Sequence, residues 1–210
     1  MALRYIGASG GRILRAKWCG SVAVTVNRER ERVETWLDSV VVGLQLCPFA
    51  ARPWEQGTVR IVISEHAEVE PLLQQLYAEL MKLADTPVEA LETTLLVVPR
   101  QLTDFDEYWA VLGVAEQLLD QSPWRGEFQI ASFHPDYQFD GCEVDDPANF
   151  SNRSPYPIFH LLRESSVSWA VDTHPDVEAI PERNITLLRG MKAEVLATLF
   201  PDRDLDRDLD

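Results

Sequence analysis

A chain of 210 residues with 46% hydrophobic and 25% charged side chains has enough material for one domain with a true core. Its formal charge of −15 repels a phosphate backbone, and no stripe of lysine and arginine interleaved with aromatics offsets it, so nucleic acid and anionic membrane surfaces are excluded as partners. The cysteines Cys19, Cys47 and Cys142 stand far apart without a C-x-x-C spacing, which argues against a disulfide framework or a structural zinc knot and fits a reducing cytoplasm. No apolar run approaches the roughly 20 residues needed to cross a bilayer.

Residues 1–27 carry Arg4, Arg12, Arg15 and Lys17, no acidic side chain and scattered Gly and Ser, and the composition changes abruptly at RERERVE. They are expected to form a flexible extension. Their glycines and arginines interrupt the apolar stretch of about 7 to 15 residues that a secretory signal requires. Over 28–200 a single α/β domain is expected, followed by a disordered acidic tail over 201–210, where RDLD repeats.

Within the domain, Val33, Trp36, Leu37, Val40, Val41 and Leu44 follow helical spacing up to Cys47, and Pro48 stops the helix. VRIVIS, Val59 to Ser64, is a β-branched run that predicts a buried strand. A second helix carries the stripe Val69, Leu72, Leu73, Leu76, Tyr77, Leu80 and Leu83, and TTLLVVP from Thr93 is a second strand. Asp104 and Glu107 make a capping box before a third helix with Phe105, Tyr108, Trp109, Leu112 and Leu119 on its stripe. FQIASF, Phe128 to Phe133, is a third strand. Two last helices, near Pro157 to Val171 and Pro181 to Leu199, complete the cover.

Strands alternating with helices predict an α/β fold: a mainly parallel sheet of three to four strands covered by about five helices, with an α+β sandwich as the alternative. In open parallel sheets ligands bind beyond the carboxyl ends of the strands. This directs attention to His66, read as an exposed helix entry, to Arg100, and above all to His134 and the aperiodic segment of about 25 residues that follows it. That segment holds Phe133, Tyr137, Phe139 and Phe150 as anchors. Its polar set is His134, Asp136, Asp145, Asp146, Asn149, Asn152 and Arg153. One reading is a self-bonded cap of Asn and Asp turns; the other is a site.

As a site, free amides at a helix starting at Pro157, with Asn152, Arg153, Ser154 and Arg163, would hold a carboxylate or phosphate. Alternatively Arg153 pairs with Asp145 or Asp146. His160 and Glu164, four apart on that helix, could bind a divalent metal completed by His134. Equally, His134 and His160 could act as an acid/base pair, with Asp136 or Glu164 orienting an imidazole. Both chemistries require the segment to fold back so that two imidazoles and the Arg153 guanidinium share one hollow. Cys47, at a helix end, is expected to have a raised thiol pKa and to be a buried small hydrophobe rather than a nucleophile.

The blocks GLQLCPFA (Gly43–Ala50), ETTLLVVP (Glu92–Pro99), QIASFHPDYQFDG (Gln129–Gly141) and DDPANFSNRSPYPIFHLLRE (Asp145–Glu164) resemble the uncharacterised family DUF1415, over about Val33 to Gly190. The resemblance implies that these blocks belong to one recurring pattern and carries over no catalytic residue. From the residues, the expected function is a cytoplasmic enzyme acting on a small anionic metabolite, phosphorylated or carboxylated, by histidine acid/base or metal-assisted chemistry. The alternative is a non-enzymatic binding or regulatory module in which the polar cluster is structural.

Overall fold

The computed structural model describes residues 18–200, with side chains from residue 25 onward. The expectations for residues 1–17 and for the 201–210 tail lie outside the described residues. Four strands, β1 (Val59–Ile63), β2 (Thr93–Val97), β3 (Phe128–Phe133) and β4 (Ile158–Arg163), form one sheet in the order β1-β2-β4-β3. The described residues also form seven α-helices: α1 (Trp18–Trp36), α2 (Ala51–Glu55), α3 (Val69–Asp85), α4 (Phe105–Asp120), α5 (Glu164–Thr173), α6 (Ile180–Arg189) and α7 (Ala193–Leu199). The helix α1 thus begins ahead of the composition boundary at residue 28.

The expected helix–strand alternation holds for α3 and α4, which link β1 to β2 and β2 to β3. β1 and β2 pair in parallel, and β3 runs in their direction because both β2 and β3 are antiparallel to β4. The mainly parallel sheet is therefore corrected to a mixed one. β4 occupies the place between β2 and β3 and turns what would be a parallel contact into two antiparallel ones. The helix expected from Pro157 is corrected with it: Ile158–Arg163 is the strand, and the helix starts only at Glu164. IFHLLR is a short apolar run buried on both faces, and such a run satisfies helix and strand patterns alike.

Alternation along the strands sorts two cores. Leu96, Phe159 and Leu161 meet Leu72, Leu76 and Leu80 of α3 and Tyr108 and Leu112 of α4 on one face. Ile61, Leu95, Val97 and Ile158 meet Val33, Trp36, Val40, Leu188 and Leu196 on the other. Trp109, placed on a core stripe by spacing alone, is 52% exposed, and so is Trp169 of α5.

Between Leu37 and Val42 the first helix widens into a π-helical turn. The amide of Gly43 reaches back to Asp38 O at 2.9 Å, and a Cβ there would stand 2.5 Å from Ser39 O, so the wide turn admits only glycine. Trp54 Nε1 of α2 donates to Asp38 Oδ1 at 2.5 Å, fastening the following turn to the widened one.

Among the described residues, Gln75 Oε1 and Thr94 Oγ1 are buried side-chain atoms without a hydrogen bond. Thr94 lies on the α3/α4 side of β2. A buried unpaired hydroxyl carries its desolvation penalty uncompensated. Replacing it in Thr94→Val is expected to raise the unfolding free energy by about 1 kcal/mol, read from the midpoint and slope of urea unfolding.

Candidate functional site

The sequence-derived polar groups do not share one hollow. His134 is fully buried on the α3/α4 face, between the rings of Phe105 and Tyr108 with centroids 5.3 and 5.1 Å away. Its Nδ1 accepts from the amide of Asp136 at 3.0 Å, so Nε2 carries the proton and donates to Leu102 O at 3.0 Å. Leu102 has a left-handed backbone, φ 58°, and the imidazole fastens this bend to the end of β3. His160 projects from β4 to the opposite face. Glu164 opens α5, with its amide donating to Glu127 O. Hence His134, His160 and Glu164 do not converge, and no group of three potential metal-ligating side chains occurs among the described residues.

The aperiodic segment is largely satisfied by its own backbone. Arg153 donates Nε to Tyr137 O and Nη2 to Val144 O at 3.3 and 2.6 Å, and its guanidinium lies 4.5 Å over the Phe150 ring. Burial lowers the Arg153 pKa, opposed by attraction to Asp136, which is an exposed residue. Asn152 Nδ2 donates to Ser132 O, Ser154 Oγ to Tyr156 O, and the fully buried Asn149 bonds Phe139 N, Glu143 O and Val144 O. Asp146 pairs with Arg189 rather than Arg153. That pairing and the amide of Ala148 hold its carboxyl at about 2. The free helix amides expected at Pro157 do not exist, because a strand begins there. His66 is an exposed residue, as anticipated.

A cavity of about 460 Å³ lies on the other face of the sheet. Its floor is Thr93, Leu95, Ala131, Gln129 and His160, its wall the widened turn with Trp36, Leu37 and Val41, and its roof α2 and α5. Only Ala170 of α5 is buried, so this helix sits as a lid. The Arg52 guanidinium stacks 4.6 Å over Trp169, and Phe49 meets His174 edge-on at 5.8 Å, closing the roof. Cys47 lines the same space, and burial raises its thiol pKa as expected, although burial and not the helix pole is the leading cause.

The polar groups in this space divide into two sets. At the N-terminal end of β2, Arg52 Nη2 meets Glu92 Oε1 at 2.5 Å, and Glu92 is 6% exposed. Arg163 stands beside them and donates to Leu83 O, Thr86 O and Leu91 O at 2.6, 2.6 and 3.0 Å, tying down the carbonyl end of α3. The Arg163 guanidinium is turned away to these carbonyls and the Phe128 ring of the α3/α4 core, so the charged side chains that face the cavity are Arg52 and Glu92. The ion pair is absent from the sequence reading because 40 positions separate its members; its one signal is that Glu92 and Thr93 place polar groups at the head of an apolar strand.

The second set is His160 and Thr93, with Nε2 and Oγ1 2.8 Å apart. Thr93 Oγ1 also lies 2.7 Å from Leu161 O, and only the hydroxyl proton can bridge two oxygens at that distance. The hydroxyl therefore donates to the carbonyl and accepts from His160 Nε2–H, which leaves Nδ1 as a lone-pair acceptor. Desolvation lowers the His160 pKa from 6.5 to about 4, so the ring is neutral at pH 7. The sign of the pH effect follows. His160's contribution to stability is complete above pH 6.5. It declines as pH falls towards 4, because the unfolded chain takes up its proton first. Water in the cavity softens the penalty, so about 1–3 kcal/mol is expected to be lost over this window. Urea unfolding at pH 7 and at pH near 4, compared with His160→Gln, isolates the term.

Fold and cavity together define a three-layer α/β protein with a mixed sheet and, on one sheet face, a lidded pocket that carries the Arg52–Glu92 ion pair. The chain matches the family described as "Protein of unknown function (DUF1415)" over residues 28–198, and it belongs to that family. Comparison with curated proteins and with solved structures returned no match. No helix among the described residues is long and apolar enough to cross a membrane.

Proposed function

We propose that the protein binds a small, mainly apolar organic anion, a carboxylate in the first instance, in the lidded cavity of the Arg52 face. The observation that carries this is Arg52, whose guanidinium stacks on Trp169 in the cavity roof and gives Glu92 a single hydrogen bond. Arg52 gives Glu92 one of its five N–H donors, through Nη2, and the remaining donors can meet a second carboxylate. The remaining walls are chiefly apolar, with His160 Nδ1 and Gln129 as polar points that fix orientation. The anionic ligand class expected from sequence is kept, but its holder changes from Asn152, Arg153, Ser154 and Arg163 to Arg52. Binding, rather than turnover, is the function proposed: the proton in the Thr93–His160 contact sits so that no activated hydroxyl results. A cytoplasmic setting is part of this reading, supported by Cys47 and Cys142 being free thiols.

Octanoate and octanol provide the test. Octanoate is expected to raise the thermal midpoint of the protein, whereas octanol, with the same chain and no charge, is not. Arg52→Gln should weaken octanoate binding about 10- to 100-fold, the worth of a charge-assisted hydrogen bond, and Glu92→Gln should tighten it by removing a competing carboxylate. A merely structural ion pair would give weakening in both variants. Equal stabilisation by octanol, or none by either compound, overturns the proposal.

A further inference from the structure

A second cavity, of about 540 Å³, shares Val41, Cys47 and Phe133 with the first. Beyond these three side chains it is walled by Phe139, Ile180 and Ile185 among others, and no charged side chain lines it. The sheet register fixes how the two spaces are arranged. Thr93 and Gln129 both pair with Leu162 at one level, Leu95 and Ala131 with His160 at the next inward-facing level, and Val97 and Phe133 with Ile158 at the last. Glu92 and Arg163 flank the first level, and Phe133 stands at the third. The second cavity lies past the third, where Asn152, whose carbonyl receives the amide of His134, borders it. The charged end and the uncharged end are thus separated along the strands by four residues, about 13 Å at 3.3 Å per residue.

We infer that the two cavities are successive chambers of one site and that its ligand is a linear amphipath, with the anionic group at Arg52 and an unbranched apolar tail passing Phe133 into the second chamber. This rests on the carboxylate reading above and specifies the shape of the ligand. The constriction consists of one rotatable ring, one thiol and one valine. The Phe133 ring packs edge-on against Trp36 at 5.2 Å and lies 6.0 Å from the His160 ring, so it can turn about χ1 without breaking a hydrogen bond. A compact anion would fill only the first chamber. A long one removes both apolar linings from water.

Hexanoate, octanoate, decanoate and dodecanoate, each below its micelle concentration, are titrated by calorimetry into the full chain. The affinity is expected to rise about threefold per methylene, at least 100-fold from hexanoate to dodecanoate. Dodecanoate, unlike hexanoate, should also slow alkylation of Cys142, which lines only the second chamber, as followed by peptide mapping. Ile185→Trp, adding bulk to that chamber, should bring dodecanoate down to the hexanoate level. Should hexanoate and dodecanoate bind alike, with Cys142 alkylated at one rate, the two-chamber inference falls and the carboxylate site stands. Should no acid of any length bind, the carboxylate reading itself falls, and this inference with it.

Discussion

His134→Ala is expected to lower the unfolding free energy by about 2–4 kcal/mol while leaving octanoate affinity of the folded protein unchanged. The imidazole is fully buried and bridges Leu102 O to the amide of Asp136. Truncation removes its packing against two aromatic rings and deprives both backbone groups of their bond. His134→Asn separates these losses, because an asparagine carbonyl can accept the amide two residues on, as Nδ1 does now, but cannot reach Leu102. It should recover part of the stability. Urea unfolding measures the first quantity and calorimetry on the folded fraction the second. Because the ring lies on the sheet face opposite the cavity, a large loss of affinity in a well-folded variant would contradict the assignment.

Ala131→Phe is expected to abolish octanoate binding, by at least 100-fold, with a stability change within about 1.5 kcal/mol. Ala131 is the cavity-floor residue facing His160 in register across β3 and β4. A phenyl ring there enters existing space rather than packed atoms, so the usual strain of overpacking is relieved, and the apolar area it covers offsets the remainder. Thermal shift with octanoate, next to a urea titration of the same variant, separates occlusion from unfolding. Retention of octanoate binding would place the ligand elsewhere.

The same particulars show how much was legible in the sequence. Three strands and the stripes of α3 and α4 follow from periodicity, which depends only on near neighbours. β4 does not, because a central strand buried on both faces loses its alternation, and its Ile158, Leu161 and Leu162 fall on helical spacing by chance. That one reassignment moves the site. On a helix His160 and Glu164 would share a face; on a strand running into a helix, register with Thr93 and Ala131 decides where His160 points. His134 was legible as unusual but not as structural, since composition tells that a histidine stands at a strand end and not which face of the sheet receives it. Arg52 with Glu92 escaped because a pair so distant in sequence leaves no local pattern.

The late position of β4 in the chain also has a bearing on synthesis. While the ribosome is still adding residues before Ile158, β1 and β2 can already zip together, but β3 has no neighbour, and one border of β2 stays open. The nascent protein therefore keeps open the two strand borders that β4 will later cover, one on β2 and one on β3, through the whole translation of the long aperiodic segment. That segment, by bonding to its own backbone, can become compact in the meantime without offering another. A chaperone that shields bare strand borders would find its work concentrated in this interval, and a pause in translation just upstream of Ile158 would lengthen the exposure.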